Sequence, residues 1–230
     1  MAPDANAHPA PRREPRPPRG ARHRVERIRE RASYDREAVH AILDAGFLAH
    51  VGFARGAQPF VIPMLYARDG ERVLLHGSVA SRLIGALAGG LDCCVTVTHL
   101  DGLVLARSHF HHSVNYRSVV LFGRAHAVAD SAEKIAALAR FVDALLPGRA
   151  ADARPPDATE LAATTVLSME IADASAKVRA GGAKDHPDDL ALPYWAGVVP
   201  LTLAAGAPLP ADDLVGAPPP PDYLARRPVR

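Results

Sequence analysis

Apolar positions alternate with polar ones over most of the chain's middle, and only three segments switch to the helical period. Phe47 to Phe53, Phe60 to Ala67 and Arg72 to His76 read as three strands, the last two joined by Asp69-Gly70, a pair suited to a tight hairpin. Farther on, Asp92 to His99 reads as a strand, Asp101-Gly102 as a second turn, and Leu103 to Arg107 as the return. A long strand is expected from Tyr116 to Val128 and a closing one from Thr165 to Ala172. Asp35 is placed to cap a helix through Leu43, with Val39, Ile42 and Leu43 on one face and Gly46 as its stop. A second helix is predicted over Ala80 to Ala88, ended by Gly89-Gly90, and a third, amphipathic one over Ala132 to Leu146, ended by Pro147. Hairpin connections favour antiparallel pairing over crossovers, so the pattern predicts a mainly β, α+β fold. A small antiparallel barrel with a few peripheral helices satisfies it, because closure removes exposed strand edges.

Composition divides the chain in three. At 230 residues and 48% hydrophobic it can bury one substantial core. Residues 1 to 36 hold ten arginines against five acids, so the rest of a chain of formal charge +2 carries about −3. The basic character therefore belongs to an N-terminal tail, residues 1–26, rich in Pro, Ala and Arg and without apolar periodicity. The domain is expected over 27–205, and a Pro-rich C-terminal tail over 206–230, where Ala217-Pro218-Pro219-Pro220-Pro221 reads as extended. No apolar h-region follows the N-terminal arginines, no aromatics interleave them, and the domain is acidic. Neither a secretory signal nor a nucleic-acid-binding arm is indicated. The apolar runs are strand-sized, which argues against a membrane helix. Cys93 and Cys94 are adjacent, cannot pair with each other in an ordinary disulfide, and sit in a strand, as expected of reduced core residues in a cytoplasmic protein.

Candidate chemistry is concentrated in two places. His76-Gly-Ser-Val-Ala-Ser-Arg-Leu-Ile-Gly-Ala-Leu87 runs from a strand into a short helix whose first turn holds Ser78, Ser81 and Arg82. Backbone N–H groups, hydroxyls and a guanidinium together suit a phosphate. The bland alternative makes Ser78 or Ser81 a helix cap and Arg82 a solvated residue. The second place is Phe110-His-His-Ser-Val-Asn-Tyr-Arg-Ser-Val-Val-Leu-Phe-Gly-Arg-Ala125. There Arg117, among β-forming residues, needs an anionic partner: a bound phosphate, or an acid of the chain. Tyr116 and Ser118 flank Arg117 on the opposite strand face. His109, His111 and His112 lack the spacing and acidic or cysteine partners of a metal site. Lys177 and Arg179 alternate onto one face, where they can steer an anion or guard a sheet edge. No G-x-G-x-x-G follows a strand, and neither a P-loop nor a G-x-S-x-G elbow occurs.

Taken with Leu75-His76-Gly77 and Tyr194-Trp195-Ala196-Gly197-Val198-Val199-Pro200-Leu201, these two segments resemble the pyridoxamine 5'-phosphate oxidase-like, FMN-binding split-barrel superfamily, and within it the flavin-nucleotide-binding and nitroimidazole-resistance-like branch. The likeness runs from about Arg27 to Leu201. It implies a homodimer with FMN between the subunits and a small-molecule substrate. Ser78, Ser81 and Arg82 would hold the phosphate, Asn115, Tyr116, Arg117 and Ser118 would contact the flavin, and Lys177 and Arg179 would assist with the anion. His76 would act near the ring, and Trp195 would lie at the core, the interface or the flavin. The implied function is an oxidoreductase passing electrons from reduced FMN to a small molecule. Pyridoxamine phosphate oxidation itself is disfavoured, since the Pro-rich tail ending in Arg226, Arg227 and Arg230 replaces the oxidases' Arg-rich substrate segment. The alternative is a non-catalytic flavin-nucleotide or haem-binding protein, with His76 or a histidine of the Phe110 segment as axial ligand.

Overall fold

The computed structural model describes residues 21–216 and 218–224; the basic stretch Met1 to Gly20 and the final arginines lie outside them. Ten strands form one antiparallel, curled sheet. In chain order they are β1 (Ala32–Ser33), β2 (Leu48–Arg55), β3 (Gln58–Asp69), β4 (Arg72–Ser78), β5 (Asp92–Leu105), β6 (Ser113–Arg124), β7 (His126–Ala127), β8 (Thr164–Glu170), β9 (Asp173–Arg179) and β10 (Gly197–Pro200). Among the described residues four helices accompany them: α1 (Arg36–Asp44), α2 (Arg82–Ala88), α3 (Ser131–Leu145) and α4 (Ala158–Ala163). The strand order is β1-β9-β6-β5-β2-β3-β4-β8-β7, with β10 on β5. Because β6, third in that order, continues into β7, its last strand, across the buried Ala125, the chain brings the far end of the path back beside its beginning and curls it into a split barrel of the α+β class.

The period-two pattern sets which side chains fill the barrel. Val51, Val73, Leu75, Val95, Val97, Val119, Leu121, Leu167 and Met169 point inward and are at most 1% exposed, and α1 adds Val39, Ile42 and Leu43. A smaller cluster lies on the outer side of β4 and β8, where Ala137 and Phe141 of α3 cover Ala67, Leu74 and Val166. Asp35 caps α1 as expected, accepting from the Glu37 backbone N–H; Ser81 caps α2, accepting from Ile84, and Asp130 caps α3, accepting from Glu133. Gly70, at φ 59°, makes the β3–β4 hairpin turn as expected.

Several boundaries differ from the sequence reading, each for an identifiable reason. Asp101-Gly102 is not a turn. β5 runs through it, paired with β6 from Asp92 to Val104, and one bulge at Asp101 absorbs the extra residue. A glycine is needed there because β10 approaches: a Cβ on Gly102 would lie 3.1 Å from both Val198 Cγ1 and the Val199 carbonyl. The long strand predicted over Tyr116 to Val128 is two strands, split at Ala125 where the chain passes between the ends of the sheet. Gly46 does not stop α1 through a left-handed conformation. It makes room for the His99 ring, since a Cβ would sit 2.5 Å from His99 Cε1.

Candidate functional site

Two cavities border β2, one at each end. The first, about 200 Å³, lies where the β2–β3 hairpin meets the start of α2 and is lined by Phe53, Arg55, Phe60, Ile62, Ser81, Arg82 and Leu83. Phe53 and Phe60 are cross-strand partners stacked at 5.2 Å, giving the cavity a flat aromatic wall. Arg82, first residue of α2, and Arg55, last of β2, are both exposed, and neither has an acidic partner among the described residues. Two unneutralised cations beside an apolar wall make a place for an anion attached to a flat ring. The Ser81 hydroxyl accepts from the Ile84 N–H, 3.4 Å away, and the Ser78 hydroxyl from the Ala80 N–H at 3.2 Å, each keeping its O–H as a donor. Both serines therefore shape the turn into α2, and the cationic character comes from the arginines.

The second cavity, about 550 Å³, opens at the other end of β2. It follows from how the edge of β5 is shared. β2 pairs with β5 only over Cys93 to Thr96 and β10 only over Gly102 to Leu105, leaving Val97 to Asp101 without a strand on that side. The gap is walled by Thr98, His99, Leu100 and Asp101 of β5, by Phe47, Leu48 and His50 entering β2, and by Leu201 to Leu203 leaving β10. Arg117, opposite His99 on β6, reaches this gap. Its guanidinium is held bidentately by Asp101, Nε to Oδ2 at 3.0 Å and Nη2 to Oδ1 at 2.9 Å. The hydrogen bonds to that carboxylate raise its pKa further. The acid of the chain, one of the two partners open to Arg117 from sequence, is therefore Asp101.

The other predicted residues divide between structural work and the second cavity's surroundings. Arg179 is buried and donates to the Asn115 side chain, itself buried, and to the carbonyls of Gly181 and Gly182, tying the segment after β9 to β6. Lys177 donates to the Arg27 carbonyl at 3.1 Å, and Ser118 to the Lys177 carbonyl at 3.3 Å. Tyr116, half-buried, pairs with Arg179 across the β6–β9 ladder. Trp195 is 66% exposed and packs its ring against Gly197, where a Cβ would come within 2.7 Å of it. His76 lines neither cavity. Alternation along β4 turns Leu75 into the barrel and His76 outward under α3, where its ring meets Phe141 edge-on at 4.4 Å between centroids. Burial there depresses its pKa, so the imidazole is neutral near pH 7. His111 and His112 bond to Ser108 within their own turn, and no metal-holding cluster exists among the described residues.

Sequence reasoning passed over Arg55, Phe53 and Phe60, and also His50 and His99. The available signal was the register of the β2–β3 hairpin: Gly56-Ala57 as a two-residue turn sets Arg55 opposite Gln58 and Phe53 opposite Phe60.

A family model, pyridoxamine 5'-phosphate oxidase, matches residues 35–178, which include β2 to β8 and α2 but not β10. The chain belongs to the pyridoxamine 5'-phosphate oxidase family. Within reach of that family, the structure of the flavocytochrome Anf3 from Azotobacter vinelandii is 45% identical, with 91% of this chain and 96% of that one covered at a TM-score of 0.84. The FAD and heme binding protein from Mycobacterium smegmatis is 39% identical over 85% of this chain and 96% of that one, at a TM-score of 0.81. A candidate 5-nitroimidazole antibiotic resistance protein from Bacteroides thetaiotaomicron shares the fold, at 20% identity over 64% of this chain and 86% of that one and a TM-score of 0.54. No curated protein sequence matches the chain.

Proposed function

We propose that this chain is a redox protein that holds a flavin nucleotide and a haem and passes electrons between a donor and a small molecule. The observation that carries the flavin half is the pair of arginines without acidic partners, Arg55 and Arg82, beside the Phe53–Phe60 wall. They suit the phosphate of FMN, or the diphosphate of FAD, with the apolar wall toward the ring. The haem half is supported by the likeness to the flavocytochrome and to the FAD and heme binding protein, each covering more than four-fifths of this chain. When bound, flavin supplies two-electron chemistry and haem one-electron chemistry. The protein's own part is to fix the anion with the two guanidinium groups and to keep the ring against an apolar surface.

The flavin would lie between two copies of the chain. Leu48 and Val61, on one face of β2 and β3, are 49% and 63% exposed, apolar surface that a second copy would cover. Two cysteines that are both free suit a cytoplasmic setting, and no helix among the described residues is long and apolar enough to cross a membrane.

The test is the absorption spectrum of the purified full-length chain, before and after reconstitution with FMN, FAD and hemin, followed by anaerobic addition of NADH and NADPH. Flavin bands together with a Soret band are expected, and chromatography of the released flavin separates FMN from FAD. A protein that takes up neither chromophore overturns the reading. One that binds both yet is reduced by no donor is a carrier.

A further inference from the structure

The cavity on the unpaired stretch of β5 has a composition that the flavin site does not use. At about 550 Å³ it is of the size that holds a cofactor, and its walls are apolar, with Phe47, Leu100, Leu201 and Leu203 around it. Its polar groups are two imidazoles, His50 and His99, and the Arg117–Asp101 pair. A large flat apolar ligand that needs an axial nitrogen and carries carboxylates would find an imidazole and a guanidinium there.

The two imidazoles are not equivalent. His99 Nε2 lies 2.9 Å from the Ile42 carbonyl oxygen. A carbonyl only accepts, so Nε2 carries the proton and donates. The ring also packs against Gly46, where any side chain would collide with it. His50 differs on both counts: it is exposed on the cavity wall, and neither ring nitrogen has a hydrogen-bond or ionic partner among the described residues. Arg117 gives Nε and Nη2 to Asp101, and its Nη1 has no partner among the described residues.

We propose that this cavity is the haem site, with His50 as the axial ligand and Nη1 of Arg117 directed to a propionate. The assignment rests on the haem half of the proposed function and gives it a place and a ligand. It also fixes the relation between the two sites. His50 borders one cavity and Phe53 the other, three residues apart on β2, or about 10 Å at the rise of an extended strand.

The experiment compares full-length wild type with His50→Ala and His99→Gln after hemin titration, reading Soret position, haem stoichiometry and flavin content, with circular dichroism for the fold. His50→Ala is expected to weaken haem retention at least tenfold and to shift the Soret band, with flavin content unchanged, and added imidazole should restore the band. His99→Gln should keep the wild-type band position. If His50→Ala binds haem with the wild-type spectrum, or if His99→Gln alone shifts it, the ligand assignment is overturned while the haem reading stands. If wild type takes up flavin but no haem, the haem reading itself is overturned and the assignment falls with it.

Discussion

Replacing Arg55 and Arg82, singly and together, probes the chemistry of the smaller cavity most directly. Each guanidinium is exposed and lacks an acidic partner among the described residues, so removing it strands no buried charge and costs the fold little. A charge-assisted hydrogen bond to phosphate is worth about 1.5–3 kcal/mol net, and solvent screening of exposed groups puts these two near the lower figure. About 1.5 kcal/mol is roughly a tenfold loss of affinity for each single variant. If the arginines contact different phosphate oxygens, the losses add and Arg55→Ala with Arg82→Ala together costs about a hundredfold. The assay is quenching of flavin fluorescence on titration with the apo-protein, using FMN and riboflavin in parallel at low and high salt. FMN affinity should fall in the variants and fall less steeply with salt than in wild type, whereas riboflavin, which has no phosphate, should bind all four proteins alike. Equal losses for FMN and riboflavin would mean that the arginines act through the shape of the hairpin. Unchanged FMN affinity in a folded double variant would remove the phosphate from this cavity altogether.

Two further outcomes follow from the small cluster under α3. Phe141→Ala, at a side chain 4% exposed, should destabilise by about 3 kcal/mol, the low end for a buried phenylalanine because the cluster is near the surface, and thermal denaturation should fall by about 6–12 °C. His76 is held neutral by burial, its folded pKa below the ordinary 6.5, so protonation favours the unfolded chain. The stability it contributes is complete above pH 6.5 and is lost as pH falls from there through the lowered value. Urea denaturation across that window should show the slope in wild type and a flatter profile in His76→Leu; the same slope in both would remove His76 as its source.

Much of this architecture was legible because the barrel side of each strand is dry. Val95, Val97, Val119 and Leu121 alternate cleanly, and alternation of that kind admits few registers. Legibility stopped where a residue's role depends on a strand remote in sequence. Asp101-Gly102 has the composition of a turn, and only the arrival of β10 and the pairing with β6 make it a bulge. Arg117 was right in needing an anion, but its partner sits on the neighbouring strand, displaced by that same bulge. His76 showed a strand end next to a hydroxyl-rich turn, and nothing local says that α3, more than fifty residues on, covers it. Arg55 was hidden by its ordinary place beside a glycine, and it became informative only once the hairpin register set it next to α2.

The division of β5's edge between two unconnected strands also separates their fates. β10 is four residues long, with Val199 and Pro200 exposed, and its strand pairing is to β5 alone, so it can peel away without disturbing the ladder that β2 makes, which ends at Thr96, six residues before Gly102. Opening of that kind is a local event, with a free energy well below that of global unfolding. The larger cavity is thus bounded on one side by a rigid strand and on the other by a detachable one. Backbone amide exchange over Gly197 to Pro200 is therefore expected to be faster than over Cys93 to Thr96, and equal protection of the two segments would refute the difference.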